Sequence, residues 1–240
     1  MDSFDTFNEI VKDGLTPAQR LDSIWKEQYK DKLEKDVIAP LIQRCIRKKV
    51  VTFISINPSL PPSKIPTAQR GFSPKIKDAY QVDSKIRENS HCHYHKFYDI
   101  GKNEPISNNW AAIELLYIRD STQANIENLS TNIEYYNFIE EQIRLTFDIL
   151  EKIEPLIVVI ANAGTDRLIH KYGKNLGFNF DIPSSNNGNI YRIQGIPFII
   201  KESRYLGSSQ WVNRDKKENY KRRNRIVAEI QRVVGNTPSV

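Results

Sequence analysis

Apolar positions along the chain follow three different periods, and each period predicts an element. Val50-Val51-Thr52-Phe53-Ile54-Ser55-Ile56 is a short β-branched run stopped by Asn57-Pro58. Leu156 to Ala161 is a second run, ending in Asn162-Ala163-Gly164. Continuous apolar runs of strand length suit strands buried on both faces, as in a parallel sheet. Leu115-Leu116-Tyr117-Ile118 reads as a further strand on the same ground. Asn189 to Ile193 and Ile196 to Ile200 flank Gln194-Gly195, the pattern of a β-hairpin.

Helical spacing is strongest from Ile133 to Ile153, where Tyr136, Ile139, Ile143, Phe147 and Leu150 share one face before Pro155. Thr16-Pro17-Ala18-Gln19 has the form of a capping box, with Thr as N-cap, Pro at N1 and Gln at N3. Behind it Leu21, Ile24, Trp25, Leu33, Val37, Leu41 and Cys45 predict helix as far as about Arg47, divided at Pro40. The first 15 residues read as a loose arm or short helix, Thr165 as the cap of a helix reaching about Tyr172, and Asn213 to Val233 as a closing helix. Helices alternating with β-branched strands predict a three-layer α/β/α sandwich with a mostly parallel central sheet of about four strands. Residues 1–48 form an N-terminal helical extension in this reading, and residues 49–240 one α/β domain.

A chain of 240 residues buries a core without disulfides or metals, and its two cysteines, Cys45 and Cys92, exclude a disulfide scaffold. No apolar run reaches the roughly 20 residues of a bilayer span, so no membrane is expected as a partner. Met1 is followed by acidic, amphipathic sequence without an apolar h-region, and a cytoplasmic location is the expectation. The net charge of +6 is local: residues 210–232 hold eight Lys/Arg against three acids. That concentration suggests phosphate or nucleic-acid contact, with a solvated basic helix as the alternative.

Chemistry is expected where strands exit. In open α/β sheets ligands bind beyond the carboxyl ends of the strands. Three exits carry small or polar residues: Ser55-Ile56-Asn57-Pro58-Ser59, Asn162-Ala163-Gly164-Thr165, and Lys201 to Ser208. The segment from Ser59 to about Asn109 is rich in proline and too long for an idle connection. It contains His91-Cys92-His93-Tyr94-His95, where an extended backbone would turn residues 91, 93 and 95 the same way. That cluster reads as a polar loop lining the site, as a structural histidine group, or as a zinc site lacking the usual supporting spacing. Asn109-Trp110 and the segment Glu114 to Asp120 could add polar groups at the second strand's exit, with Trp110 read as core.

The order of these exits resembles the uracil-DNA glycosylase superfamily, especially its mismatch-specific branch. Ser55-Ile56-Asn57-Pro58-Ser59-Leu60 stands where that branch has Gly-Ile-Asn-Pro-Gly, and Gly71-Phe72 where it places a stacking aromatic. The likeness covers roughly residues 49 to 232. It implies a DNA-binding protein that hydrolyses the N-glycosidic bond of a flipped, damaged or mismatched base, without metal or cofactor. Flipping costs a few kcal/mol, and the pocket must then stack the base, position water and stabilise the departing base.

By resemblance Asn57 positions the water, Phe72 stacks, Ser55 and Ser59 line the pocket, and Ser203 grips phosphate. Tyr205 and Leu206 then fill the gap in the stack, with Arg204, Lys221, Arg222 and Arg223 on the backbone. His93 or His95 supplies the missing donor, His93 being the catalytic candidate. Asn162 either faces the base or caps the following helix. Ser55 and Ser59 replace family glycines, and Lys201-Glu202-Ser203-Arg204-Tyr205-Leu206 replaces a His-Pro-Ser or Asn-Pro-Ser loop. A neutral amide orients water but cannot take its proton. Two alternatives therefore stand beside glycosylase activity: a nucleic-acid-binding member without catalysis, and a metal-dependent hydrolase built on His91, His93 and His95. Protein partners are not legible.

Overall fold

The computed structural model describes residues 3–5, 10–28, 41–43, 45–56, 75–77, 95–107, 109–118, 123–182, 190–200 and 216–235. Strands β4 (Val51–Ser55), β6 (Trp110–Glu114), β7 (Ile157–Ile160), β8 (Phe180–Asp181), β9 (Ile190–Ile193) and β10 (Ile196–Ile199) form a six-stranded sheet in the order β6-β4-β7-β10-β9-β8. The β6–β4, β4–β7 and β7–β10 pairings are parallel, and β9 runs antiparallel to β10 and β8. The sheet is larger than expected because β8 extends the hairpin edge.

Alternation along the strands separates the two layers that cover the sheet. Val51, Phe53, Trp110, Ala112, Ile157 and Val159 pack with Phe97 and Ile100 of α2 (His95–Gly101) and with Ile226 and Ile230 of α6 (Lys216–Val234). Phe53 stacks on Phe97 at 4.8 Å, and Trp110 meets Phe53 edge-on at 5.3 Å, so Trp110 is core. On the other face Ile54, Ile113, Val158, Ile160 and Phe198 pack with α4 (Tyr136–Ile153) and α5 (Ala163–Asn175). Helix α3 (Gln123–Thr131) and a 3₁₀ turn at Ile133–Tyr135 precede α4. The architecture is thus an α/β/α sandwich.

The helix α1 (Pro17–Gln28) begins in the expected capping box: Thr16 Oγ1 accepts from Gln19 N at 3.3 Å, and Gln19 Oε1 accepts from Thr16 N at 2.9 Å. Leu21 of α1 is buried in the same core cluster as α4. Three expectations upstream and one downstream are corrected. Ser3–Asp5 (β1) is a strand, not an arm or helix, and pairs antiparallel with Cys45–Arg47 (β3). Leu41–Gln43 (β2) is a strand parallel to Lys75–Lys77 (β5), so helix does not continue to Arg47. The described residues among 1–48 therefore combine a helix with three short strands, because pairing with distant segments overrides local helical spacing. The second parallel strand is Trp110–Glu114 rather than Leu115–Ile118, which is buried but leaves the ladder after Leu116 N donates to Ile56 O.

The hairpin forms as its sequence requires. Gln194 (φ 52°) and Gly195 (φ 77°) are both left-handed, the signature of a two-residue type I′ turn.

Candidate functional site

The strand order sets the place of the site. From β4 the chain crosses outward to β6 on one side, and from β7 it proceeds to the β8–β10 group on the other. The switch point therefore lies between β4 and β7, and the crevice beyond their carboxyl ends is where such sheets take ligands. Ser55 ends β4, Glu114 ends the neighbouring β6, and Ala161-Asn162 leave β7.

Ser55 and Glu114 stand directly opposite each other in the parallel register. Both lie on the face of the sheet covered by α2 and α6, by parity with Phe53 and Ala112. The Ser55 hydroxyl donates to Glu114 Oε2. Ser55 is 0% and Glu114 4% exposed. A carboxylate removed from water costs several kcal/mol unless it is hydrogen-bonded, so Glu114 at this edge is a costly placement that Ser55 helps to offset.

Behind Glu114 the chain is held by the polar positions of α4. Thr146 Oγ1 lies 3.1 Å from Glu114 O and 3.0 Å from Leu115 O. Gln142 Oε1 accepts from Tyr117 N at 2.8 Å and from Ile118 N at 3.3 Å, and its amide donates to Phe138 O at 3.1 Å. The Tyr117 hydroxyl lies 3.0 Å from Thr146 Oγ1. Burial pushes the Tyr117 phenol far above its ordinary value, against the lowering by that hydrogen bond. Gln142 and Thr146 were not singled out from sequence; their signal is two polar residues one turn apart on an otherwise apolar helix face.

Asn162 resolves as a cap. Its Oδ1 accepts from Thr165 N at 2.7 Å and Thr165 Oγ1 at 2.9 Å, at the start of α5. This corrects the assignment of Thr165 as N-cap: Thr165 occupies N3 and donates. Asn162 is 4% exposed, and that carbonyl oxygen is occupied by the helix end.

Helix α6 runs in the same direction as α2, since Arg223 meets Asp99 at 3.7 Å and Gln231 donates to Glu104 O at 2.7 Å further along. Because α2 lies in the crossover from the carboxyl end of β4 to the amino end of β6, the first turns of α6 sit toward the switch-point edge. Lys221 there is exposed and Arg222 half-buried, while Arg223 also lies 4.9 Å over the Tyr220 ring. Part of the helix's charge is balanced internally, by Glu218 with Arg225 at 3.2 Å and Glu229 with Arg232 at 3.0 Å.

Of the expected site residues, Ser55, Asn162, Lys221, Arg222 and Arg223 fall on described elements at or near this edge. Asn57, Ser59, Phe72, His91, His93, Ser203, Arg204, Tyr205 and Leu206 lie outside the described residues, and His95 is described only as the first residue of α2. Among the described residues no group of three or more His, Cys, Asp or Glu is arranged to hold a metal, and no helix is long and apolar enough to cross a membrane. A concavity of about 570 Å³ lies elsewhere, at the amino ends of β7 and β10 between Phe147, Asp148, Phe178 and the Gln194-Gly195 turn. Comparison with protein-family models and with curated proteins returns no match.

Proposed function

We propose that the chain binds nucleic acid along the switch-point edge and hydrolyses the N-glycosidic bond of a base taken out of the stack. The observation that carries this reading is that β4 ends with Ser55 at the switch point, hydrogen-bonded to the buried Glu114 carboxylate, two residues before Asn57 in the sequence. Two features support an anionic ligand there. The positive end of α5 opens at β7's exit, and the basic turns of α6 are directed to the same edge. In this reading Asn57 orients the water, whose oxygen bonds to the sugar C1′ as the base departs with the electron pair of the broken bond and takes up the water's proton, and Lys221 and Arg222 contact phosphates.

The test is incubation of the chain with uracil- and hypoxanthine-containing oligonucleotides, scored for alkali-labile abasic sites. Cleavage that Asn57→Ala reduces at least 100-fold supports the reading, of the order expected for loss of a positioned catalytic group. Absence of cleavage on every lesion removes the enzymatic claim.

One observation favours a binding-only reading: the Asn162 carbonyl is spent on the α5 cap and offers no base contact while so engaged. Salt-dependent DNA binding without turnover, weakened by charge reversal at Lys221 and Arg222, would mark that case.

A further inference from the structure

The first turns of α6 carry an aromatic ring into solvent among cations. Ile226 and Ile230 turn inward to the core, which sets Tyr220, Lys221, Asn224 and Arg225 on the outward side of the helix, where all four are exposed. Tyr220 is exposed by 56%, the one large aromatic so placed among the described residues. A ring left in water forfeits the burial for which aromatic residues are ordinarily used, so its position points to a partner.

The ring is held in place. Arg223 Cζ lies 4.9 Å over its centroid, and the same guanidinium reaches Asp99 of α2 at 3.7 Å. Lys102 Nζ meets Asp99 in turn at 2.8 Å. Tyr220 is thereby tied, through Arg223 and Asp99, to the neighbouring helix. A planar ligand that meets the exposed ring surface then costs little side-chain freedom.

Charge identifies the class of that ligand. Residues 210–232 hold eight Lys/Arg against three acids. The contact with α2 adds Asp99 together with Lys102, so the surplus of five is unchanged when these partners are included. Glu218 and Glu229 are taken up by Arg225 and Arg232 of the same helix, and Lys221 beside Tyr220 is exposed. This face therefore suits a polyanion. Nucleic acid supplies both phosphates for the cations and planar bases for the ring. In a duplex the base faces are covered by one another, so a ring standing out from a helix meets them where the strand is unpaired.

We infer that Tyr220 is a stacking platform for an unpaired base, and that this edge takes single-stranded nucleic acid with a neighbouring phosphate at Lys221. The inference rests on the nucleic-acid reading above and names the residue and the strand form that serve it.

Fluorescence anisotropy of labelled oligo(dT), oligo(rU) and a DNA duplex with the full chain tests it, with inorganic polyphosphate as a base-free competitor. Binding of either single strand is expected, and the ratio of the two tells DNA from RNA. Tyr220→Ala and Tyr220→Leu should weaken that binding about tenfold, and Tyr220→Phe, which keeps the ring, by less than about twofold. The salt slope should stay at its wild-type value in Tyr220→Ala and fall by about 0.7 in Lys221→Gln. Polyphosphate should compete equally for wild type and Tyr220→Ala, with thermal unfolding as the check that each variant is folded. Wild-type affinity in Tyr220→Leu, or an equal loss toward polyphosphate in Tyr220→Ala, would overturn the assignment. Duplex binding without single-strand binding overturns it and leaves the nucleic-acid reading standing, whereas binding of none of the three oligonucleotides removes both.

Discussion

The Ser55 hydroxyl donates to the Glu114 carboxylate across directly registered positions of β4 and β6, at the carboxyl edge of the sheet. Both residues are buried, so removing one member takes a hydrogen bond from the other where water does not replace it. Ser55→Ala should lower unfolding free energy by about 2 kcal/mol, because it leaves a buried carboxylate one donor short. Glu114→Gln keeps an acceptor for the hydroxyl and should cost less than Ser55→Ala. Urea unfolding of the two single variants and the double variant checks this. A coupling energy near zero would show that the pair does not act as a unit.

Gln142 and Thr146 replace the sheet ladder for the segment that follows Glu114. Without the Gln142 amide, Tyr117 N and Ile118 N lose their acceptor in a buried setting. Gln142→Leu should therefore destabilise by about 2–3 kcal/mol despite its greater hydrophobicity. Thr146→Val, which keeps the shape and removes the hydroxyl, should cost about 1 kcal/mol. Faster amide exchange at Tyr117 and Ile118 in Gln142→Leu would locate the effect.

These contacts mark where sequence patterning ends. The runs at Val51–Ser55 and Ile157–Ile160, the period of α4, the Thr16 capping box and the Gln194-Gly195 turn were all legible, since each is specified by neighbours in sequence. Leu115–Ile118 was misread because an apolar run reports burial, and burial here comes from α4 as well as from the sheet. Trp110–Glu114 hides its strand character behind two alanines and a terminal acid. Leu41–Gln43 and Cys45–Arg47 become strands only by pairing with Lys75–Lys77 and Ser3–Asp5. The Ser55–Glu114 bond joins residues 59 positions apart, which no local pattern can reveal.

The two readings of Asn162 separate by substitution. As the N-cap of α5 it satisfies Thr165 N, and Asn162→Ala should lower stability by about 1 kcal/mol. Asn162→Asp supplies the same acceptor and a charge suited to the helix N-terminus, so it should restore the loss. Thermal unfolding reads both. If Asn162→Asp instead proves as damaging as Asn162→Ala, the amide donor has a second role that the cap does not explain.

His170 and Asp166 make stability depend on pH. The His170 Nδ1 lies 3.0 Å from Asp166 Oδ1, one turn back on α5, and the ring stacks on Phe180 at 5.0 Å. The nearby Asp166 carboxylate, with the Asp166 backbone carbonyl that Nδ1 also meets at 3.0 Å, raises the imidazole's proton affinity, outweighing the lowering by burial. Because the folded value lies above the unfolded one, the contribution is fully present below the unfolded pKa and is lost as pH rises through the folded pKa. Asp166→Asn should accordingly destabilise at pH 5, below the unfolded imidazole's pKa, and lose that effect progressively as pH rises through the raised folded value. The difference should be about 0.5 kcal/mol, the scale of a partly exposed ion pair. His170→Gln provides the control, since a chain without the imidazole should show a flatter stability profile over the same interval. An equal loss throughout that interval in Asp166→Asn would assign its effect to the helix terminus alone, where an acidic residue in the first turn stabilises irrespective of the histidine.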